Sequence, residues 1–219
     1  MKKDKYLTIK NRVEKTAEWK EILSEYYSKK KKFQFDFERT ALFVIDMQEY
    51  FLNPSSHAYL PAAEAIYEPI KKIQQAFQEK SKVVYFTQYG LSPDVPDNDM
   101  RKRWWKGSIT KNDPLYAISP EFDLTDVSIH EKDTYDAFAC SNLALVLDKL
   151  GCDKIVITGV TTHLCCDSTA RNAFDYGFEV YMVIDGMATY TEELHLNTLK
   201  AASHGYGIPI TSEEILEKM

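Results

Sequence analysis

Three stretches of the 219-residue chain carry side chains able to do covalent chemistry. A carboxylate, Asp46, directly follows the apolar run TALFVI at residues 40–45. An amine, Lys132, closes His130-Glu131-Lys132 behind another apolar run. Two adjacent thiols, Cys165 and Cys166, follow Gly159-Val160-Thr161-Thr162-His163-Leu164 and lead into a helical pattern. A free thiol, with a pKa of about 8.5, is a modest nucleophile at neutral pH, and a helix start with a nearby cation improves it. A neighbouring carboxylate can take the thiol proton and later deliver it to a leaving amine. A lysine beside both holds the carboxylate ionised, and unpaired amides at a helix start can hold an oxyanion. From the residues alone this trio is suggestive and open. Acids after strands are frequent, and a cysteine in a helix is more often a small core residue than a nucleophile.

The elements that must position these groups follow from hydrophobic patterning. Continuous apolar, β-branched runs at residues 40–45, 82–87, 127–130, 154–158 and 179–184, with a weaker one at 208–211, predict strands buried on both faces. Helical stretches lie between them at 62–79, 137–150, 164–176 and 191–204, with a short closing helix at 213–218. Gly151, Gly177 and Gly205 fall where helix C-caps are expected. Alternating strands and helices predict an α/β fold, a three-layer α-β-α sandwich around a six-stranded, mostly parallel sheet. Ligands in such sheets collect beyond the carboxyl ends of the strands, where Asp46, Lys132 and Cys165 lie. Residues 90–124, rich in Pro, Asp, Trp and Gly, have little periodicity, and a loop that long is expected to be functional. Val13, Trp19, Ile22, Leu23, Tyr26 and Tyr27 recur at roughly helical spacing, ahead of a lysine run at 29–32. They predict an amphipathic helix docked on the body or on a partner subunit, with the lysines solvated, the alternative being a membrane-surface or nucleic-acid contact.

Composition bounds the function. With 44% apolar and 27% charged residues in 25.3 kDa, the chain is neither disordered nor fibrous. The net charge of −6 argues against a nucleic-acid partner. Residues 1–35 hold 11 Lys+Arg against 5 Asp+Glu and the rest 16 against 28, so a basic tail sits on an acidic body. No apolar run is long enough for a membrane span, and no apolar segment follows the first basic residues as in a secretory signal. Four cysteines, two of them adjacent, read as reduced cytoplasmic thiols rather than a disulfide framework. No CxxC pair or paired histidines suggest zinc, so no metal and no cofactor are expected.

Taken together, DMQ after the first strand, Lys132 followed by YDAF at 135–138, and GVTTHLCCDSTARNAF at 159–174 resemble the isochorismatase-like cysteine hydrolase family, over roughly residues 36–212. That family includes nicotinamidases, N-carbamoylsarcosine amidase and isochorismatase. The resemblance implies an Asp46–Lys132–Cys165 triad, a cis peptide at Val160–Thr161, and an oxyanion hole from the backbone amides of Thr161 and Cys165. Cys166, turned about 100° around a helix from Cys165, is expected to be buried against the sheet. The chain then divides into a basic helical extension, 1–35, and an isochorismatase-like hydrolase domain, 36–219. A homo-oligomer, dimer or tetramer, is implied as well.

Departures from the family narrow the expectation. Nicotinamidases carry an Asp-x-His and a further His that bind a metal, whereas Asp46 is followed here by MQEYFLNPSSHAYL and the second strand ends in Thr87-Gln88-Tyr89. His57 has no matching partner, and a solvent-facing or core-capping role is expected for it, which disfavours nicotinamidase activity. The cysteine at 165 favours acyl transfer over vinyl-ether cleavage, although TQYG at 87–90 and WWKGS at 104–108 look more isochorismatase-like. The expected activity is hydrolysis of a C–N bond in a small amide, imide or ureido compound through a thioester. The alternatives are vinyl-ether hydrolysis of a small carboxylic acid and a silent binding or scaffolding role. Phe51, Gln88, Trp104, Trp105, Tyr135 and His163 are the candidate substrate contacts. Asp185 and Thr189 are weighed as pocket rim or turn residues, and Arg171 as a surface ion-pair partner.

Overall fold

The computed structural model describes residues 2–27, 33–139 and 141–218. The lysine run at 29–32 and Cys140 lie outside the described residues.

Six strands form one sheet in the order β3-β2-β1-β4-β5-β6: β1 Thr40–Ile45, β2 Val84–Tyr89, β3 Ser128–Lys132, β4 Lys154–Val160, β5 Glu179–Ala188 and β6 Ile208–Ile210. Every pairing is parallel, so the sheet is wholly rather than mostly parallel. All six residues of β1 are buried, as are the last six of β4, which is what continuous apolar runs require of central strands. The chain winds outward from β1 in one direction and from β4 in the other. This puts the topological switch point between those two strands.

The flanking helices are α1 Arg12–Tyr27, α2 Glu49–Leu52, α3 Tyr67–Glu79, α4 Met100–Trp105, α5 Leu143–Lys149, α6 Asp167–Asp175, α7 Glu192–Gly205 and α8 Ser212–Leu216. Local chemistry starts them. Thr191 accepts from the Leu194 amide ahead of α7, and Thr211 and Glu214 form a reciprocal capping box at α8. Gly151 and Gly177 end α5 and α6 in the left-handed region, at φ 74° and 92°. Gly205 does not: it is the last residue of α7, and Tyr206 follows at φ −151°. Asp185 is also not a rim residue. It lies inside β5 and accepts from the amide and hydroxyl of Ser212 at 2.8 and 2.5 Å, anchoring the start of α8.

Helix α1 docks on the body of its own chain. Trp19 and Leu23 are buried in the same core as Phe43, Phe86 and Leu42, and Leu7 ahead of the helix joins them. Val13 and Tyr26 stay exposed. The Trp19 indole donates to Glu192 at 2.8 Å and packs on His195 at 4.7 Å between ring centres. Among the described residues, cations of the extension meet acids of the body in four ion pairs: Lys5–Glu64, Arg12–Glu68, Lys15–Glu192 and Lys20–Glu214.

Candidate active site

The site grows from the carboxyl ends of β1, β3 and β4. Ile45 ends β1 in register with Gly159 of β4. A Cβ on Gly159 would lie 2.1 Å from the Ile45 carbonyl oxygen, and its φ is 105°, so the close approach and the turn both demand glycine. Asp46, the next residue after Ile45, takes φ 48°, rare for a non-glycine residue. Thr87 of β2 holds it there, receiving the Asp46 amide at 3.1 Å and donating to its Oδ1 at 2.6 Å. Beyond β4 the Val160–Thr161 peptide is cis. One turn of π-helix, Thr162–Cys166, then runs directly into α6.

Lys132 closes β3 and is buried. Its Nζ donates to Asp46 Oδ2 at 2.7 Å and to the Thr134 carbonyl at 3.1 Å, and lies 5.1 Å from the centre of the Tyr89 ring. Burial works to lower the lysine's pKa, but Asp46 and Cys165 outweigh it and the ammonium is held above its ordinary value. The Cys165 thiol, 3% exposed, meets both side chains. Burial, aided by the Asp46 carboxylate, pushes the thiol up, against the pull of Lys132, so it rests protonated beside a base. Cys166 is fully buried, with its sulfur 4.0 Å from the Thr158 carbonyl oxygen of β4.

Cys165 and Thr161 sit at the inner end of a cavity of about 230 Å³. That is smaller than the ~300 Å³ at which drug-sized pockets begin. Three of the six candidate substrate contacts line it: Phe51, Trp105 and Tyr135. The Trp105 indole donates to the Tyr135 hydroxyl at 2.6 Å, fixing that wall. The other three do not line it. Gln88 alternates with Tyr89 along β2, so Tyr89 faces the cavity while Gln88 turns away and donates to the Tyr116 carbonyl at 3.2 Å. Trp104, 67% exposed, projects from α4 into an adjoining groove with Met100 and Arg101. His163 is turned to Thr189, with Nδ1 2.6 Å from its hydroxyl. Arg171 pairs with Asp167 one turn before it, at 2.9 Å.

Several lining residues carry no signal in the patterning. Tyr50, Tyr89 and Tyr190 form aromatic walls, and His57 stands at the exposed mouth with Nε2 3.2 Å from the Tyr50 hydroxyl. Lys3, from the extension, completes the wall: its Nζ donates to the His57 carbonyl and lies 5.5 Å from the centre of the Tyr190 ring. The Asp4 amide, bonded to the Tyr190 carbonyl at 2.8 Å, and the Tyr6 hydroxyl, receiving the Thr189 amide at 3.1 Å, hold the segment down. Among the described residues, no group of three His, Cys, Asp or Glu side chains is placed to hold a metal ion. No helix among them is long and apolar enough to cross a membrane.

A doubly wound parallel sheet with a cavity at its switch point is the frame of many α/β enzymes. Similarity to known proteins narrows the class. The isochorismatase domain model matches residues 40–214. Nicotinamidase 3 of Arabidopsis thaliana is 31% identical over 180 residues, covering 80% of this chain and 86% of its own. Enterobactin synthase component B of Escherichia coli K12 is 27% identical over 186 residues, covering 83% of this chain, which spans 64% of that protein. Among solved structures, a cysteine hydrolase from Pseudomonas syringae pv. phaseolicola superposes with a TM-score of 0.80 at 22% identity, covering 85% of this chain and 94% of that one. The chain belongs to the isochorismatase family of hydrolases.

Proposed function

We propose that this hydrolase cleaves a C–N bond in a small amide, imide or ureido compound through a thioester on Cys165. The observation carrying the reading is the meeting of a buried thiol, carboxylate and ammonium at the inner end of a small, aromatic-walled cavity. Because the thiol rests protonated, proton transfer to Asp46 accompanies attack of the sulfur on the carbonyl. Lys132, paired with Asp46 at 2.7 Å, holds the carboxylate in place, and the amides of Thr161 and Cys165 hold the oxyanion. As the intermediate collapses, the C–N bond breaks and Asp46 returns the proton to the departing nitrogen. Water, activated by the same carboxylate, then splits the thioester to an acid and the free thiol.

Ammonia release across a panel of small amides, imides and ureides tests this. Cys165→Ala should lose at least about a thousandfold in kcat, and full turnover by that variant would overturn the reading. Activity that survives Cys165→Ala but not Asp46→Asn would instead mark acid-catalysed vinyl-ether cleavage, the alternative within the family.

The free thiols of Cys152, Cys165 and Cys166 suit a reducing cytoplasm. Exposed Ile129, on edge strand β3, and Leu145 and Phe174, on α5 and α6, support self-association, which a light-scattering mass of one chain would exclude.

A further inference from the structure

The cavity is polar at two ends. At the inner end, the hydroxyls of Tyr89 and Thr161 are buried, 6% and 2% exposed by residue, and neither has a hydrogen-bond partner among the described residues. Buried hydroxyls without partners are costly, so groups of this kind lining a cavity point to polar atoms of a ligand. At the outer end stands Lys3, half-buried, bonded to a neutral carbonyl and stacked near a neutral ring. Among the described residues, no Asp or Glu lines the cavity. Among the described residues, Lys3 has no carboxylate at ion-pair distance, unlike its neighbours Lys2, paired with Asp4, and Lys5, paired with Glu64. A second ammonium beside the cavity, Lys132, is neutralised by Asp46. Arg101, in the adjoining groove, is held by Asp99 and Asp133.

We infer that Lys3 is a specificity-determining residue, which makes the cavity select amides bearing a carboxylate on the side of the molecule away from the scissile carbonyl. This rests on the amide reading given above for the inner end, and adds to it the class of substrate. An anion entering the mouth would exchange the His57 carbonyl for a charge-assisted bond to the same ammonium. Partial burial already lowers that ammonium's pKa, a disadvantage a carboxylate would relieve. Lys3 lies ahead of the matched family domain, so this contact belongs to the extension of this chain.

The test separates recognition from turnover by using methyl ketones, which mimic amides but cannot be hydrolysed. Calorimetry on the 219-residue chain compares 4-acetylbenzoate with acetophenone, and 4-oxopentanoate with 2-pentanone, at fixed ionic strength. The carboxylate member of at least one pair should bind at least about tenfold tighter. Lys3→Ala should bring that ratio close to one, and Lys3→Arg should keep most of it. A ratio near one in the parent protein, or one that Lys3→Ala leaves standing, overturns the inference. In a parallel turnover assay with 4-carbamoylbenzoate and benzamide, Lys3→Ala should lower the preference through KM rather than kcat. Failure of Cys165→Ala to abolish that turnover would sink the thioester reading, while the ketone binding ratio would still decide the role of Lys3.

Discussion

Two buried charges, each with its partner, dominate the site at the scale of single residues. Asp46 is fully buried and its two oxygens are occupied by Thr87 and Lys132. Removing one member of such a pair strands the other charge in a low-dielectric interior, which costs about 3–5 kcal/mol. Lys132→Met should therefore lower the unfolding free energy by about that much, as read from urea titrations. The double variant with Asp46→Asn should recover a large part of the loss, and simple additivity would show that the pair is not coupled. These residues were legible because each stands at the end of an apolar run, where a parallel sheet puts its chemistry. Tyr50, Tyr89, Tyr190 and His57 were not, since nothing in local spacing says that four separate segments converge. Gln88 was mistaken for its neighbour because strand alternation, clear in principle, needs the register of β2 to say which residue faces in.

At the scale of elements, the extension is tied to the body through α1 and α7. Trp19 fills a core position, packs at a tilt against His195 and donates to Glu192. Trp19→Ala should cost about 3–5 kcal/mol in a thermal or urea melt. A loss below about 1 kcal/mol would mean that α1 adds little to the fold. The helix carrying Trp19 and Leu23 was readable from sequence, but Val13 and Tyr26 of the expected stripe face solvent. Whether the helix packs on its own chain or another was not readable, because both surfaces present the same chemistry. Helix boundaries were less legible where side chains compete with the backbone. The stretch expected to be helical from 137 begins as helix only at Leu143. Before it, Asp136 accepts from the Phe138 amide and Ser141 bonds to the Ala137 and Phe138 carbonyls. The loop at 90–124 likewise hides α4, six residues long and capped by Asp99, too short for its period to register.

Across the whole molecule, His195 links extension, sheet and active-site turn. It is fully buried between the Thr162 hydroxyl, 2.9 Å from Nδ1, and the Ile184 carbonyl, 3.1 Å from Nε2, with Trp19 and Tyr6 against its ring. Burial lowers its pKa to about 4. Between about pH 4 and the ordinary value near 6.5, the unfolded chain binds a proton that the folded protein refuses, so stability falls as pH falls through that window. The slope is about 1.4 kcal/mol per pH unit. Urea titrations at pH 7, 6 and 5 should show it, and a His195→Gln protein should have the shallower slope. Equal slopes in both proteins would remove His195 from the acid response. The charge asymmetry visible in the sequence takes on a different meaning at this scale. The basic extension pairs with acids of its own body, so part of the excess charge is cancelled internally.

Lys3 stands in the cavity wall yet lies outside residues 40–214, the stretch by which the family is recognised. Two homologues identical over that stretch, but carrying different leading segments, would present different mouths to their substrates. Divergence at this position can proceed by changes in the residues around Lys3, with the sheet and the turn behind Cys165 left intact. Phylogenies built from the shared domain would group such proteins together while their preferred metabolites differ.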